Sequence, residues 1–175
     1  MFLYGMSART FVDYAYNSYG AVFSKQEAEL FREAFFAKYI RLLPWHREME
    51  YQCEMLGGVA NKFGRFRKLP DIYCQDNFLR SKAARRAINT PVQGTGSDLL
   101  ISAATKINHD LKKEGVKIVG TVHDSILGEF RKEDKEWVCD YIRKVMLHPP
   151  ILDEFDVELE VPLDIDIGVG AWGTH

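Results

Sequence analysis

Long apolar runs are missing from this 175-residue chain. No stretch approaches the roughly 18 residues a membrane-spanning helix needs, and Met1 leads into Phe2-Leu3-Tyr4-Gly5 without the basic and apolar regions of a secretory signal. Cysteine is scarce: Cys53, Cys74 and Cys139 lie far apart, which excludes a CxxC zinc or redox motif, and their odd number argues against a disulfide framework. A reducing, cytoplasmic compartment with no membrane partner is expected. Internal repeats, low-complexity tracts and Pro/Gly/Ser-rich linkers are absent too, so the chain reads as one packed unit with a helical and a sheet part. No HExxH or GxSxG occurs, and the Gly94-Thr95-Gly96 stretch is followed neither by the third glycine of a GxGxxG nor by a Walker lysine, which argues against a P-loop there.

What is present is globular: 46% hydrophobic, 13% aromatic and 27% charged residues, with a mean hydropathy of -0.23. The net charge of -2 hides an asymmetry. Residues 1–123 carry 18 Lys and Arg against 12 Asp and Glu, net +6, whereas residues 124–175 carry 5 against 13, net -8. A basic face is compatible with that distribution.

Periodicity and punctuation predict the elements. Ser7 caps a helix to about Asn17, and Ser24-Lys25-Gln26-Glu27 is a capping box for a second helix in which Ala28, Phe31, Phe35 and Tyr39 recur at helical spacing. A third helix is expected from Trp45 to Met55, after Pro44 and before Gly57-Gly58. Val59 to Leu69, with Lys62, Arg65, Arg67 and Lys68 interleaved with Phe63 and Phe66, suits a small hairpin or an extended basic segment. A helix is expected from near Asp76 to Ile88, with a break at Pro91. Leu99, Leu100, Ala103, Ala104, Ile107 and Leu111 then mark a long helix over 95–114 ended by Gly115. Val116 to Val122 and Ile126 to Phe130 predict a hairpin over 116–130 with His123-Asp124-Ser125 at its tip. Glu133 to Leu147 reads as an amphipathic helix, and alternation from Val157 to Ile167 predicts a closing strand over 156–169, interrupted by Pro162. The class is α+β: an antiparallel sheet with a hairpin, packed against long helices, plus a helical lobe over 1–56.

Three constellations bear chemistry. An acid at a tight bend, Asp124, projects a hard oxygen ligand suited to Mg2+, although the bend by itself favours the plainer role of an Asp stabilising its own turn. Two-ion phosphoryl transfer needs a second carboxylate, for which Asp164 and Asp166 are candidates that nothing local singles out. Arg85, Asn89 and Gln93, four residues apart, would share a helix face if the helix continued through Pro91, and they suit phosphates and base edges as well as an ordinary solvated face. The runs Lys62–Lys68 and Arg80–Arg86 hold eight positive charges that could track a phosphodiester backbone or simply face water.

Taken in order, these segments resemble family A DNA polymerases of the bacterial DNA polymerase I and phage replicative type. Phe2-Leu3-Tyr4-Gly5-Met6-Ser7-Ala8 is similar to the end of motif B on the fingers helix, Arg85 to Asp98 to the segment before and along the long palm helix, and Val122-His123-Asp124-Ser125 to motif C. Gly64 to Ile72 and Val161 to Gly170 are similar to family segments in the same order. The resemblance implies partial fingers over 1–56 and palm over 57–175. It places Tyr4 and Gly5 at the nucleotide and templating-base site, and Arg85, Asn89 and Gln93 along the primer-template minor groove, with Lys62, Arg65, Arg67 and Lys68 as further DNA contacts. It puts His123 near the primer terminus and makes Asp124 a ligand of catalytic Mg2+. The implied reaction is attack of a primer 3'-hydroxyl on the α-phosphate of a dNTP, with pyrophosphate leaving.

Two departures accompany the resemblance. Met1 falls inside motif B, so the triphosphate-binding Arg and Lys and the motif A Asp are expected on a partner chain, and the isolated chain is expected to be inactive. Ser125 stands where many members have Glu, a form that single-subunit RNA polymerases share. A non-catalytic DNA-binding remnant and an RNA polymerase fragment are the competing expectations.

Overall fold

The computed structural model describes residues 2–170. Met1, on which the motif B boundary turns, and residues 171–175 of the expected palm lie outside the described residues. Two compact units divide between Gly94 and Thr95. Residues 57–94 fall in the first unit together with the N-terminal helices.

The first unit opens with a 3-10 turn, Phe2–Tyr4, followed by helices α1 (Ala8–Tyr19), α2 (Lys25–Lys38) and α3 (Leu42–Leu56). The caps are those the residues dictate. Ser7 Oγ accepts from the Thr10 amide, and Ser24 and Glu27 form a reciprocal capping box. Gly20 and Gly57 end α1 and α3 in the left-handed conformation. Pro44 begins nothing new; it sits in the first turn of α3, where a missing N–H costs little, so the helix starts at Leu42 rather than Trp45.

Of the two readings of the basic stretch, the hairpin forms rather than an extended segment, as β1 (Gly58–Ala60) antiparallel to β2 (Phe66–Lys68), with Val59 opposite Arg67. A methyl group at Gly58 would run into the Arg67 carbonyl oxygen, so only glycine allows this pairing. Helix α4 (Asn77–Leu111) contributes its first half to this unit, where Ala83 and Ala87 pack with Cys53, Val59, Leu69 and Ile72 in a buried core.

Helix α4 corrects the expected break. Pro91 lies inside it. The proline removes one ladder hydrogen bond and its ring crowds the carbonyl four residues back, together costing roughly 3 kcal/mol in a helix interior, yet Ala87, Ile88 and Thr90 just before it are all buried. Tertiary burial holds the segment helical where local preference opposes it. The Gly94–Gly96 stretch is consequently helix rather than loop.

In the second unit the rest of α4 leads through a 3-10 turn, Lys112–Glu114, to Gly115 and the hairpin β3 (Lys117–Val122) and β4 (Ser125–Glu129). Helix α5 (Lys135–Leu147) covers the pair, and α6 (Ile151–Glu154) adds a short turn the sequence did not announce. Ala103, Ile107, Leu111, Val116, Val138 and Val145 form the core.

The closing strand over 156–169 does not form: among the described residues the segment has no ladder partner. Its alternation is nevertheless expressed, since Leu163, Ile165 and Ile167 are half-buried while Asp164 and Asp166 are exposed. Pro162 removes a donor, and Arg143 Nη1 donates to the Ile165 carbonyl at 3.3 Å in place of a neighbouring strand.

A polar knot ties α4 to α5. Asp110 accepts from His109 Nδ1 at 2.9 Å, from Lys106 Nζ at 2.6 Å and from the Tyr141 hydroxyl. These three donors, His109 foremost, hold the Asp110 carboxyl far below the usual carboxylate range. Burial, then the bond to Asp110 and its charge, push Tyr141 up to about 12. The Asp110 contribution to stability is present above the ordinary carboxylate value of about 4 and fades as pH falls below it. The Tyr141 contribution is present below about 10, the ordinary phenol value, and fades as pH rises from there towards 12. Urea midpoints measured from pH 9 to 12 should fall further for the native chain than for Tyr141→Phe; parallel curves would show that the phenol carries no such linkage.

Candidate nucleic-acid interface and carboxylate tip

In the first unit, helicity through Pro91 sets Arg85, Asn89 and Gln93 one turn apart along α4. Asn89 Nδ2 donates to the Arg85 carbonyl at 2.9 Å, and Gln93 Nε2 donates to the Tyr4 hydroxyl at 3.1 Å. Each carboxamide nitrogen carries two hydrogens, so one donor remains on each after these bonds. Tyr4, Arg85 and Asn89 line a recess of about 440 Å³ together with Ser7, which caps α1, and Thr10 and Tyr14 on that helix. Four residues singled out in the sequence thus meet on one surface.

The chain reaches Tyr4 by a constrained route. Gly5 has a φ of 77°, and a Cβ there would stand 3.2 Å from Ile88 Cδ1, so both conformation and space require glycine. His46 on α3, buried, donates from Nε2 to the Leu3 carbonyl at 2.8 Å and anchors the turn that carries Tyr4. Sequence reasoning missed His46, because a lone histidine on an amphipathic helix has no local signature.

The basic hairpin meets the other end of the same face. Arg65 Nη2 donates to the Gly94 carbonyl at 3.3 Å, and Arg67 Nη1 donates to Thr90 Oγ1 at 3.4 Å. Arg65, Arg67, Lys68, Gln93 and Gly94 line a recess of about 470 Å³. Lys62 is exposed on the connecting loop but does not line it. That loop is fixed by buried Asn61, whose Oδ1 accepts from the Phe63 and Arg65 amides at 3.1 and 2.9 Å. Asn61 was also missed, although Asn-x-x-Gly is a turn signal that could have found it. The result is a ribbon of guanidinium, ammonium and carboxamide groups, suited to phosphate oxygens and base-edge acceptors.

In the second unit His123 and Asp124 form the two-residue bend between β3 and β4, with Val122 opposite Ser125. His123 adopts a φ of 55°, a left-handed conformation that only some non-glycine residues tolerate. Both side chains are exposed. Among the described residues the Asp124 carboxylate makes no hydrogen bond or ion pair, so it does not staple its own turn. It lines a recess of about 250 Å³ whose other acid is Asp164, and Asp164 Oδ1 accepts from the Ile165 amide at 2.9 Å. Asp166, the other acid considered, does not line it. Hard, anionic oxygens at this tip fit a magnesium ion. Among the described residues no three His, Cys, Asp or Glu side chains cluster to enclose one.

Residues 1–174 match the family model described as DNA polymerase family A. The chain is 32% identical to DNA polymerase I of Pseudomonas aeruginosa over 149 residues, covering 84% of the chain and 16% of that protein. It is 32% identical to thermostable DNA polymerase I of Thermus aquaticus over 168 residues, covering 96% and 19%. It is 31% identical to the DNA polymerase of Bacillus phage SP01 over 154 residues, covering 86% and 17%. Among solved structures, the POL domain of Pol1 from M. smegmatis in complex with DNA primer-template and dNTP is similar at a TM-score of 0.79 and 25% identity, covering 93% of this chain and 27% of that one. The chain thus spans about a fifth of the length of these curated relatives.

Asn61→Ala should leave two backbone amides without their acceptor and lower stability by about 1–3 kcal/mol, measured by urea unfolding. An unaltered midpoint would mean that the hairpin loop does not depend on this side chain.

Proposed function

Because the chain belongs to DNA polymerase family A, we propose that it is the part of a DNA-directed DNA polymerase that holds the primer-template and contributes one metal-binding carboxylate. In this reading residues 1–56 are partial fingers, residues 57–175 are palm, and the enzyme works in the cytoplasm of a bacterium or phage-infected cell. The observation that carries it is the shared face of Arg85, Asn89, Gln93 and Tyr4, bordered by Arg65, Arg67 and Lys68.

The residues divide the work by chemistry. Arg65, Arg67 and Lys68, with exposed Lys62 beside them, neutralise phosphates, binding without regard to sequence. Arg85, Asn89 and Gln93 donate to minor-groove acceptors, which are nearly alike in all four pairs, so they test pair geometry rather than base identity. Tyr4, held by Gln93 and approached through Gly5, faces the nascent pair. His123 orients the primer terminus, and Asp124 holds Mg2+. When bound, the ion offsets charge on the phosphate oxygens as the primer 3'-hydroxyl attacks the dNTP α-phosphate and pyrophosphate departs. Ser125 adds a hydroxyl rather than a third carboxylate at the tip.

Asp124 and Asp164 are too few donors for a two-ion site, so the remaining carboxylate and the triphosphate-binding cations belong to polymerase polypeptide outside these residues. An aromatic groove of about 520 Å³, lined by Phe2, Phe11, Phe31, Phe35 and Tyr39, supports such a partner; Phe31 is 54% exposed, too much for a finished core.

Primer extension tests the reading. The isolated chain should give none, and the chain combined with a polypeptide carrying the missing polymerase half should extend a primer in Mg2+. In that complex Asp124→Asn should slow turnover at least ~100-fold. Robust synthesis by the isolated chain, or undiminished turnover of the variant, would contradict it. DNA binding with no synthesis in any complex would leave a non-catalytic binding remnant, and preference for NTPs would indicate an RNA polymerase fragment.

A further inference from the structure

Among the described residues the buried polar side chains are His46, Asn61 and Thr90. Asn61 and Thr90 serve the basic hairpin, whereas the reaction proposed above makes no use of His46. The turn Phe2–Tyr4 is closed by the Gly5 amide, which donates to the Phe2 carbonyl at 3.0 Å. Its next carbonyl, that of Leu3, accepts from His46 Nε2 at 2.8 Å across a separation of 43 residues. A carbonyl only accepts, so the imidazole carries a proton on Nε2. Packing keeps the ring in place: it is 6% exposed, stands edge-on to Phe36 of α2 with centroids 5.8 Å apart at 85°, and has its centroid 5.5 Å from that of Trp45. Tyr4 is thereby held from two sides, its backbone from α3 through the Leu3 carbonyl and its hydroxyl from α4 through Gln93.

We propose that His46 is a positioning residue for nucleotide addition: by pinning the Leu3 carbonyl it fixes where the Tyr4 ring stands against the nascent base pair. The inference rests on the primer-template reading of the Tyr4 face. The Leu3 carbonyl and the Tyr4 Cα belong to one planar peptide unit, so any shift of that oxygen is carried directly to the ring. Gln93 does not set the ring by itself, because one hydrogen bond to the hydroxyl leaves the side chain able to pivot about that oxygen. Gly5 on the other flank, at a φ of 77°, is the residue type with the widest backbone freedom, so the chain after Tyr4 does not supply the missing constraint. A donor on a rigid imidazole, locked between Phe36 and Trp45, supplies it, as a supporting group must when a ring has to be held to a fraction of an ångström.

The test is a double-mutant cycle on the full chain, with primer-template affinity read by fluorescence anisotropy over a range of salt. His46→Leu, which keeps an apolar side chain but no donor, should bind ~10-fold more weakly with an unaltered salt slope, since the hairpin cations are untouched. His46→Gln, which places a carboxamide N–H in the same region, should bind as the native chain does. In a Tyr4→Ala background His46→Leu should cost nothing further. Full affinity in His46→Leu, no rescue by His46→Gln, or the same loss with Tyr4 removed would overturn the positioning role while leaving the primer-template reading intact. Should His46→Leu fail to fold, nitrogen–proton NMR spectra of the native imidazoles decide: a His46 proton on Nε2 is expected, and a proton on Nδ1 alone would overturn the role. Failure of the native chain to bind primer-template at any salt concentration would overturn that reading and the inference with it.

Discussion

The face shared by Arg85, Asn89, Gln93 and Tyr4 depends on α4 remaining helical through a proline. Pro91 removes a backbone donor and biases Thr90 away from helical geometry, so the isolated peptide would end its helix there. Burial of Ala87, Ile88 and Thr90 opposes that bias, and Thr90 also receives a guanidinium hydrogen bond from Arg67. Were the helix to stop at Ile88, Asn89 and Gln93 would no longer follow Arg85 along one line, and Gln93 would not be placed to donate to Tyr4. One packing contest therefore sets the geometry of three polar side chains and one aromatic ring.

The two units carry different chemistry, and their charges follow it. Residues 1–94 hold 14 Lys and Arg against nine Asp and Glu, and they supply the cations, carboxamides and tyrosines that suit a nucleic acid. Residues 95–175 hold nine against 16, and they present acids at a hairpin tip and on an adjoining extended segment. An acid-rich surface of that kind attracts divalent cations and repels phosphate unless cations are bound. Buried contacts hold the groups of the first unit, Asn61 beneath the hairpin loop and His46 beneath the Tyr4 turn, whereas in the second the Asp110 knot ties α4 to α5.

Legibility in the sequence followed the range of the interactions involved. Caps at Ser7 and Ser24, the basic hairpin and the 116–130 hairpin were readable because their determinants lie within a few residues of one another. The course of α4 was misread because the force that carries it past Pro91 comes from Cys53, Val59, Leu69 and Ile72, distant in sequence. The segment 156–169 showed its alternation but not its lack of a partner, since periodicity reports which side chains face inward and says nothing of whether a ladder exists. At the site, Arg85, Asn89, Gln93 and Asp124 stood out by spacing or motif. His46, Thr90 and the choice of Asp164 over Asp166 did not, because each depends on a tertiary neighbour.

The central proposal is that the basic hairpin holds the phosphate backbone of a primer-template whose minor groove meets the α4 face, and its most direct measurement is the salt dependence of primer-template binding. With Lys62, Arg65, Arg67 and Lys68 each neutralising a phosphate, the logarithm of the association constant should fall against the logarithm of salt concentration with a slope of about -3.6, and Arg67→Ala should reduce that magnitude by ~1. A flat dependence, or a slope that Arg67→Ala leaves unaltered, would contradict the account.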